Sequence, residues 1–306
     1  AVVAHTISKI EDKAFYGKAK ITKISFDGDL IEGNSLEIGA NTFSGCSVLA
    51  SVVLPNGVTK IGEYAFQNCS KLAEITIPQT VNYIGGGAFL KNTALATVTF
   101  AGADEVVEET LVIDEVWKTQ HGNTYLASDC GAFQGTSVTS ITLPNRPVSI
   151  GAYAFKGCTA LTTVTFKSTE VVSIGKNAFA ENPELVSLPG FENVNTLKTM
   201  PEYMFYKDAK LSQAIIPEGV EEVGNSAFYG CSAITSATIP ATVKVLGTDS
   251  GTMQTSYVFR DCTSLASVTF EDGIQLENLW SSIFEGCSSL ESLTLPEGIK
   301  YIGANS

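Results

Sequence analysis

Ile61-Gly62-Glu63-Tyr64-Ala65-Phe66-Gln67-Asn68-Cys69, resumed two residues later by Leu72-Ala73-Glu74-Ile75-Thr76-Ile77-Pro78, is one copy of a pattern that runs the length of the chain. Its constant positions read I-G-x-x-A-F-x-x-C-x-x-L-x-x-I-x-I-P. The marker phenylalanines are Phe15, Phe43, Phe66, Phe89, Phe133, Phe155, Phe179, Phe205, Phe228, Phe259 and Phe284, at spacings of 28, 23, 23, 44, 22, 24, 26, 23, 31 and 25 residues. The unit is therefore near 23 residues long, with a few lengthened copies. The remaining phenylalanines, Phe26, Phe100, Phe166, Phe191 and Phe270, stand where other copies have Leu54, Ile77 or Ile239, so all five are expected at the end of a strand. A fixed period of this length marks a repeat architecture.

Each unit has a physical reading. Leu72-x-x-Ile75-x-Ile77 alternates apolar and polar residues, the period-2 pattern of a strand with one buried face. Pro78 ends the ladder because it has no N–H to donate, and Pro55, Pro144, Pro217, Pro240 and Pro296 hold the same place. Val81-x-x-Ile84 returns the chain inward, and Gly85 allows a tight turn that a side chain would hinder. The Ala-Phe pair then begins a short helical turn, with the phenylalanine filling the centre. One such coil cannot bury its own inner face. Eleven stacked coils give a continuous core, with strands about 4.8 Å apart in a parallel sheet and stability spread over neighbouring units. The expectation is a single curved solenoid over residues 1–306, with excursions near 27–35, 101–125 and 247–256.

Composition narrows the function classes. A formal charge of −13 opposes a nucleic-acid partner, whose phosphates need a basic face. No run of about 18 apolar residues is present to insert in a membrane. Cys46, Cys69, Cys158, Cys231, Cys262 and Cys287 each lie three residues after a marker phenylalanine; Cys130 does not. Six thiols at one equivalent inward place read as small buried hydrophobes, and no CxxC or Cys/His cluster points to zinc or any other cofactor. The only histidines, His5 and His121, are far apart in sequence, and no nucleophile elbow, P-loop, dinucleotide fingerprint or HExxH appears, so catalysis is not expected.

With these copies in view, the unit resembles the BspA-like class of leucine-rich repeats, found mainly in surface proteins of host-associated bacteria and some protists. The resemblance covers nearly the whole chain. It implies a right-handed α/β leucine-rich-repeat superhelix, an extracellular or cell-surface location, and a role in adhesion to host or matrix proteins. It carries no residue-level site. Glu11 in place of glycine and the degenerate Met200-Pro201-Glu202-Tyr203-Met204-Phe205 depart from the pattern. Tyr301-Ile302-Gly303-Ala304-Asn305-Ser306 matches the start of a further unit, so the natural protein is expected to continue past Ser306. No secretory signal opens at Ala1, which suggests a mature or trimmed form.

Two places are candidates for binding. Thr76, Thr99, Thr142 and Thr165, continued by Thr238, Thr269 and Thr294, point away from the core, beside a second row that includes Thr97, Ser140, Thr163 and Ser267. The row reads either as β-propensity on a solvated face or as a weak polar surface for a protein or glycan. The second candidate is the 101–125 excursion, with six acidic residues against one lysine. Its valine-rich run followed by Gly122-Asn123 suggests a protruding hairpin. Trp117, His121 and Tyr125 either anchor a partner there or pin the excursion to the coil below. Asp27-Gly28-Asp29 lacks the spacing of a calcium loop. The sequence thus points to a surface interaction module binding a host or matrix protein, with a structural spacer or a glycan-binding module as alternatives.

Overall fold

A computed structural model describes residues 2–3, 6–26, 28, 30, 33–120, 123–247 and 255–306. Each coil has three sides. The first is a row of parallel strands that includes Lys23–Phe26, Glu74–Ile77, Thr97–Phe100, Ser140–Leu143, Thr163–Phe166, Ser236–Ile239 and Ser267–Phe270. The alternation read from sequence is realised there: Ile75 and Ile77 are buried while Glu74 and Thr76 are exposed. The second side is a parallel sheet of seven strands running from Lys9–Ile10 to Val171–Ile174, continued by Thr199–Met200, Glu222–Val223 and Val245–Leu246.

The third side is the segment from the glycine to the cysteine. What the sequence suggests as a helical turn is a run of three-residue turns. Ala65, Gln67 and Cys69 donate their amides to Gly62, Tyr64 and Phe66 of their own coil, whereas Tyr64, Phe66 and Asn68 donate to Gly86, Ala88 and Leu90 of the next. Every second amide is thus spent on a neighbour, so no i→i−4 ladder can propagate. Among the described residues the one helix is the single 3-10 turn Phe191–Asn193.

Inside the coils, the marker phenylalanines stack in one file. From Phe15 to Phe284 successive ring centroids lie 5.1–5.8 Å apart with interplanar angles of 2–25°. These are offset stacked pairs, each contributing about 0.5–1.5 kcal/mol beyond simple burial. The ring file belongs to one continuous apolar cluster that reaches from Ile10 to Cys287. The cysteine column forms a second file. Cys69 Sγ donates to the Phe43 carbonyl of the preceding coil at 3.2 Å, and Cys46, Cys158, Cys231, Cys262 and Cys287 repeat that bond. All seven cysteines are buried free thiols.

Three details differ from the expectation. The repeat glycine is needed because the backbones of adjacent coils nearly touch. Gly85 is outside the left-handed region, but an added Cβ would stand 2.5 Å from the Glu63 amide nitrogen. Phe191 opens the 3-10 turn instead of ending a strand, because Pro189 and Gly190 (φ 87°) bend the chain away first. In that coil and the next the first strand shrinks to single bridges, Thr163 to Ser187 and Ala214 to Ala237. Finally, Asp208 takes the cysteine place in the degenerate unit. It is fully buried; Oδ1 accepts the Asn182 amide at 2.8 Å, while Oδ2 has no partner.

Candidate functional site

The threonine row is in register where its strands pair. Thr76 lies beside Thr99, Thr142 beside Thr165, and Thr238 beside Thr269. Thr76 and Thr99 are exposed; Thr142 and Thr165 are half-buried. The row is interrupted by the coils of Ser187 and Ala214. There a shallow depression of about 490 Å3 opens, lined by Ser187, Pro189, Gln213, Ile215 and Thr238 among others. The depression offers hydroxyls, an amide, an apolar floor and the Glu192 carboxylate at its edge.

The 101–125 excursion is smaller than its sequence length suggests. Leu111–Ile113 is an ordinary strand of the second sheet, paired with Tyr83–Ile84 on one side and Val148–Ile150 on the other. The hairpin proper is Trp117–Gln120 against Asn123–Leu126, antiparallel, with Trp117 opposite Leu126 and Lys118 opposite Tyr125. His121 lies outside the described residues, as do His5 and the side chains of Trp117 and Tyr125. The hairpin's base is firmly held. Val116, Ala127 and Cys130 form a small second core with Tyr64, Leu126 and Tyr153 packed on it. Tyr64 donates its hydroxyl to the Asp129 carbonyl at 3.2 Å, and burial pushes its phenol up to about 12. Glu115 Oε2 accepts the Ala152 amide at 2.5 Å, and the Tyr83 hydroxyl donates to Asp114 Oδ2 at 2.7 Å.

Upstream, Arg146 ties the excursion to the coil below. Its buried guanidinium donates to the Glu109 carbonyl at 2.6 Å through Nε, and to the Gln79 and Val81 carbonyls at 3.0 and 3.3 Å through Nη1. Burial lowers its pKa, the Glu109 carboxylate acting in the opposite sense. These contacts hold the described part of the excursion against the neighbouring coils.

A third surface was not singled out by the sequence. Two residues before the marker phenylalanine, the backbone is left-handed in most coils: φ is 55° at Asn41, 57° at Asn177, 57° at Ser226 and 64° at Ser282. That conformation costs a residue bearing a Cβ roughly 1–2 kcal/mol and suits asparagine better than most. Four coils nevertheless place tyrosine there, with φ of 54° at Tyr64, 60° at Tyr153, 58° at Tyr203 and 52° at Tyr257. Tyr64 and Tyr153 pack the hairpin base. Tyr203 and Tyr257 instead join Tyr206 and Tyr229, one residue after their own markers, in a chain of rings across three coils. The successive centroid distances are 5.7, 5.1 and 6.4 Å. Arg260 lies 5.6 and 4.8 Å over the Tyr229 and Tyr257 rings, and Lys207 lies 5.0 Å over Tyr206. The signal in sequence was the run of tyrosines at two outward places of consecutive units; the period of the core hid it.

Burial raises the thiols, to about 12 at Cys69 and about 11 at Cys130, Cys158 and Cys287, which keeps them protonated and poor nucleophiles. Among the described residues no group of three His, Cys, Asp or Glu side chains is placed to hold a metal ion, and no helix is long and apolar enough to cross a membrane.

Known proteins give the architecture its relatives. The crystal structure of a leucine-rich-repeat protein from Bacteroides ovatus aligns with 99% of this chain and 82% of its own, at 22% identity and a TM-score of 0.58, a likeness of fold. A leucine-rich-repeat protein of T. pallidum aligns with 62% of this chain and 83% of its own, at 24% identity and a TM-score of 0.48. A leucine-rich cell surface protein from Faecalibacterium prausnitzii aligns with 88% and 78%, at 22% identity and a TM-score of 0.39. No curated protein matches the sequence. The family described as "BspA type Leucine rich repeat region" matches residues 2–111, 129–250 and 249–306 in six copies. With nearly every coil inside those spans, the chain belongs to the BspA-type leucine-rich-repeat family.

Proposed function

We propose that this chain is a non-enzymatic interaction module of a bacterial cell surface, whose task is adhesion to host or matrix proteins. The observation that carries the reading is the register of the coils. Because each unit is laid on the last, like positions form outer rows that run over several coils at a time: the threonines of the first sheet, and the tyrosines of the turn side. Such rows present a broad surface, which suits a macromolecule better than a small substrate. Family membership supports the interaction role.

The rival is a spacer that only projects another module from the surface. Immobilised host and matrix proteins probed with this chain alone separate the two. An adhesin binds at least one of them saturably, and a spacer binds none. A glycan array run in parallel tests the hydroxyl face, where saturable binding abolished by bulky substitutions at Thr76 and Thr99 would move the function to sugars.

A further inference from the structure

Tyr203 and Tyr257 occupy a left-handed backbone conformation that other coils fill with asparagine, serine, lysine or glycine. In Tyr64 and Tyr153 the same unfavourable choice is offset by packing on the hairpin base. Tyr203 has no such covering and is 38% exposed, its ring edge against Tyr206. Tyrosine retained at a strained, uncovered place points to use at the surface. The composition agrees: four tyrosines and an arginine within three coils are the residue types that dominate protein interfaces.

The electrostatics select the occupant. The ring faces already hold cations, with Lys207 on Tyr206 and Arg260 bridging Tyr229 and Tyr257. Carboxylates border the same rings. Glu285 pairs with Arg260 at 3.2 Å, and the Asp261 carboxylate raises the pKa of the Tyr229 phenol behind the larger effect of burial. Glu181, paired with Lys156 at 3.3 Å, also lies near Lys207. Aromatic faces bordered by carboxylates attract guanidinium and ammonium groups, and the −13 charge of the whole chain steers basic partners toward it. The same net charge opposes a second copy of this chain as occupant.

We propose that the turn-side face formed by Tyr203, Tyr206, Tyr229, Tyr257 and Arg260 is a docking surface for an arginine- or lysine-rich segment of a protein partner. This rests on the reading of the chain as a binding module and adds a location and a partner chemistry to it.

The test is a variant built from the array's own solutions. Tyr203→Asn and Tyr257→Asn copy Asn41 and Asn177, while Tyr206→Gln and Tyr229→Gln copy Gln67 and Gln134 at the equivalent places. Net charge is unchanged, so loss of affinity reports the rings and not the general acidity. The probe is a fluorescent decapeptide of alternating arginine and glycine, read by anisotropy at physiological salt, with cellohexaose as a neutral sugar control. The expected result is binding by the natural chain, a loss of about 30-fold in the quadruple variant, and an unchanged or higher melting temperature. Equal binding by both chains overturns the proposal, since charge alone would then suffice. So does binding of cellohexaose in place of the peptide, or a variant that melts several degrees lower, which would make the rings part of the fold. If host proteins on the immobilised panel bind chain and variant equally, this surface fails while the adhesive role stands. If the panel binds nothing while the rings capture the peptide, the adhesive role fails alone.

Discussion

Asp208 should make the array's stability depend on pH, and Asp208→Asn should remove that dependence. The carboxyl sits where other coils have cysteine or asparagine, with no solvent exposure. Burial raises its pKa well above the ordinary 3.8; the Asn182 amide opposes this and the nearby Glu181 adds to it. Cys231, the thiol facing it from the next coil, is itself held protonated by burial. The sign follows from proton counting. Between 3.8 and the folded pKa, the native chain keeps a proton that the unfolded chain has released, so stability falls as pH rises through that interval. The slope is about 1.4 kcal/mol per pH unit while the native carboxyl stays protonated. Asparagine keeps an acceptor for the Asn182 amide, as Asn92 Oδ1 already does for the Cys69 amide at 2.8 Å, and cannot ionise. Urea unfolding of both proteins from pH 4 to pH 8, followed by far-UV circular dichroism, should therefore show near-equal stability at the acid end. The variant's advantage should then grow steadily toward neutrality. A difference that does not change with pH would refute the reasoning, because it would mean that the native carboxyl is solvated or paired.

Gly85→Ala should destabilise the chain by about 1–3 kcal/mol or more, read from urea midpoints, because the new Cβ meets the Glu63 amide nitrogen at 2.5 Å. Phe155→Ala, which breaks the ring file between Phe133 and Phe179, should cost about 3–5 kcal/mol, and amide exchange should speed up most in the coils on either side. The six column thiols should resist a disulfide reagent in the folded chain at pH 8 and react together in urea; prompt labelling of native Cys69 would contradict its burial and its pKa near 12. Tyr64→Phe should leave the melting temperature nearly unchanged but speed amide exchange in Ala127 and Asp129, since it removes only the bond to the Asp129 carbonyl.

The repeat itself was fully legible in the sequence. Marker phenylalanine, column cysteine and strand alternation each report one environment met again in every coil, so their spacing carries the same information many times over. The cysteine column was placed correctly from position alone, although the S–H bond to the preceding coil's Phe carbonyl could not be read from one unit. Features that depend on the relation between coils were harder to see. The glycine's purpose lies in the approach of a neighbouring backbone. Leu111–Ile113 looks like part of an insertion until it is seen between Tyr83–Ile84 and Val148–Ile150. Phe191 shares its spacing with strand phenylalanines, but Pro189 and Gly190 act first. Of the candidate binding residues, the threonines lie on the expected face, while the tyrosine chain went unnoticed because outward positions follow no apolar period.

The two coils whose first strand is reduced to a lone bridge at Ser187 and at Ala214 have a mechanical consequence. Where both sheet sides pair and the turn-side amides also cross, as between the coil of Glu74–Ile77 and Tyr83–Ile84 and the coil of Thr97–Phe100 and Leu111–Ile113, the stack resists both twisting and bending. At this point one lacing is nearly gone, while the ring file and the turn-side amides continue, Phe179 to Phe205 at 5.8 Å and Phe205 to Ala227 at 2.8 Å. Bending between these coils would proceed about an axis on the turn side, without parting the stack. The coils before and after this point can therefore change their mutual angle while each group keeps its own packing.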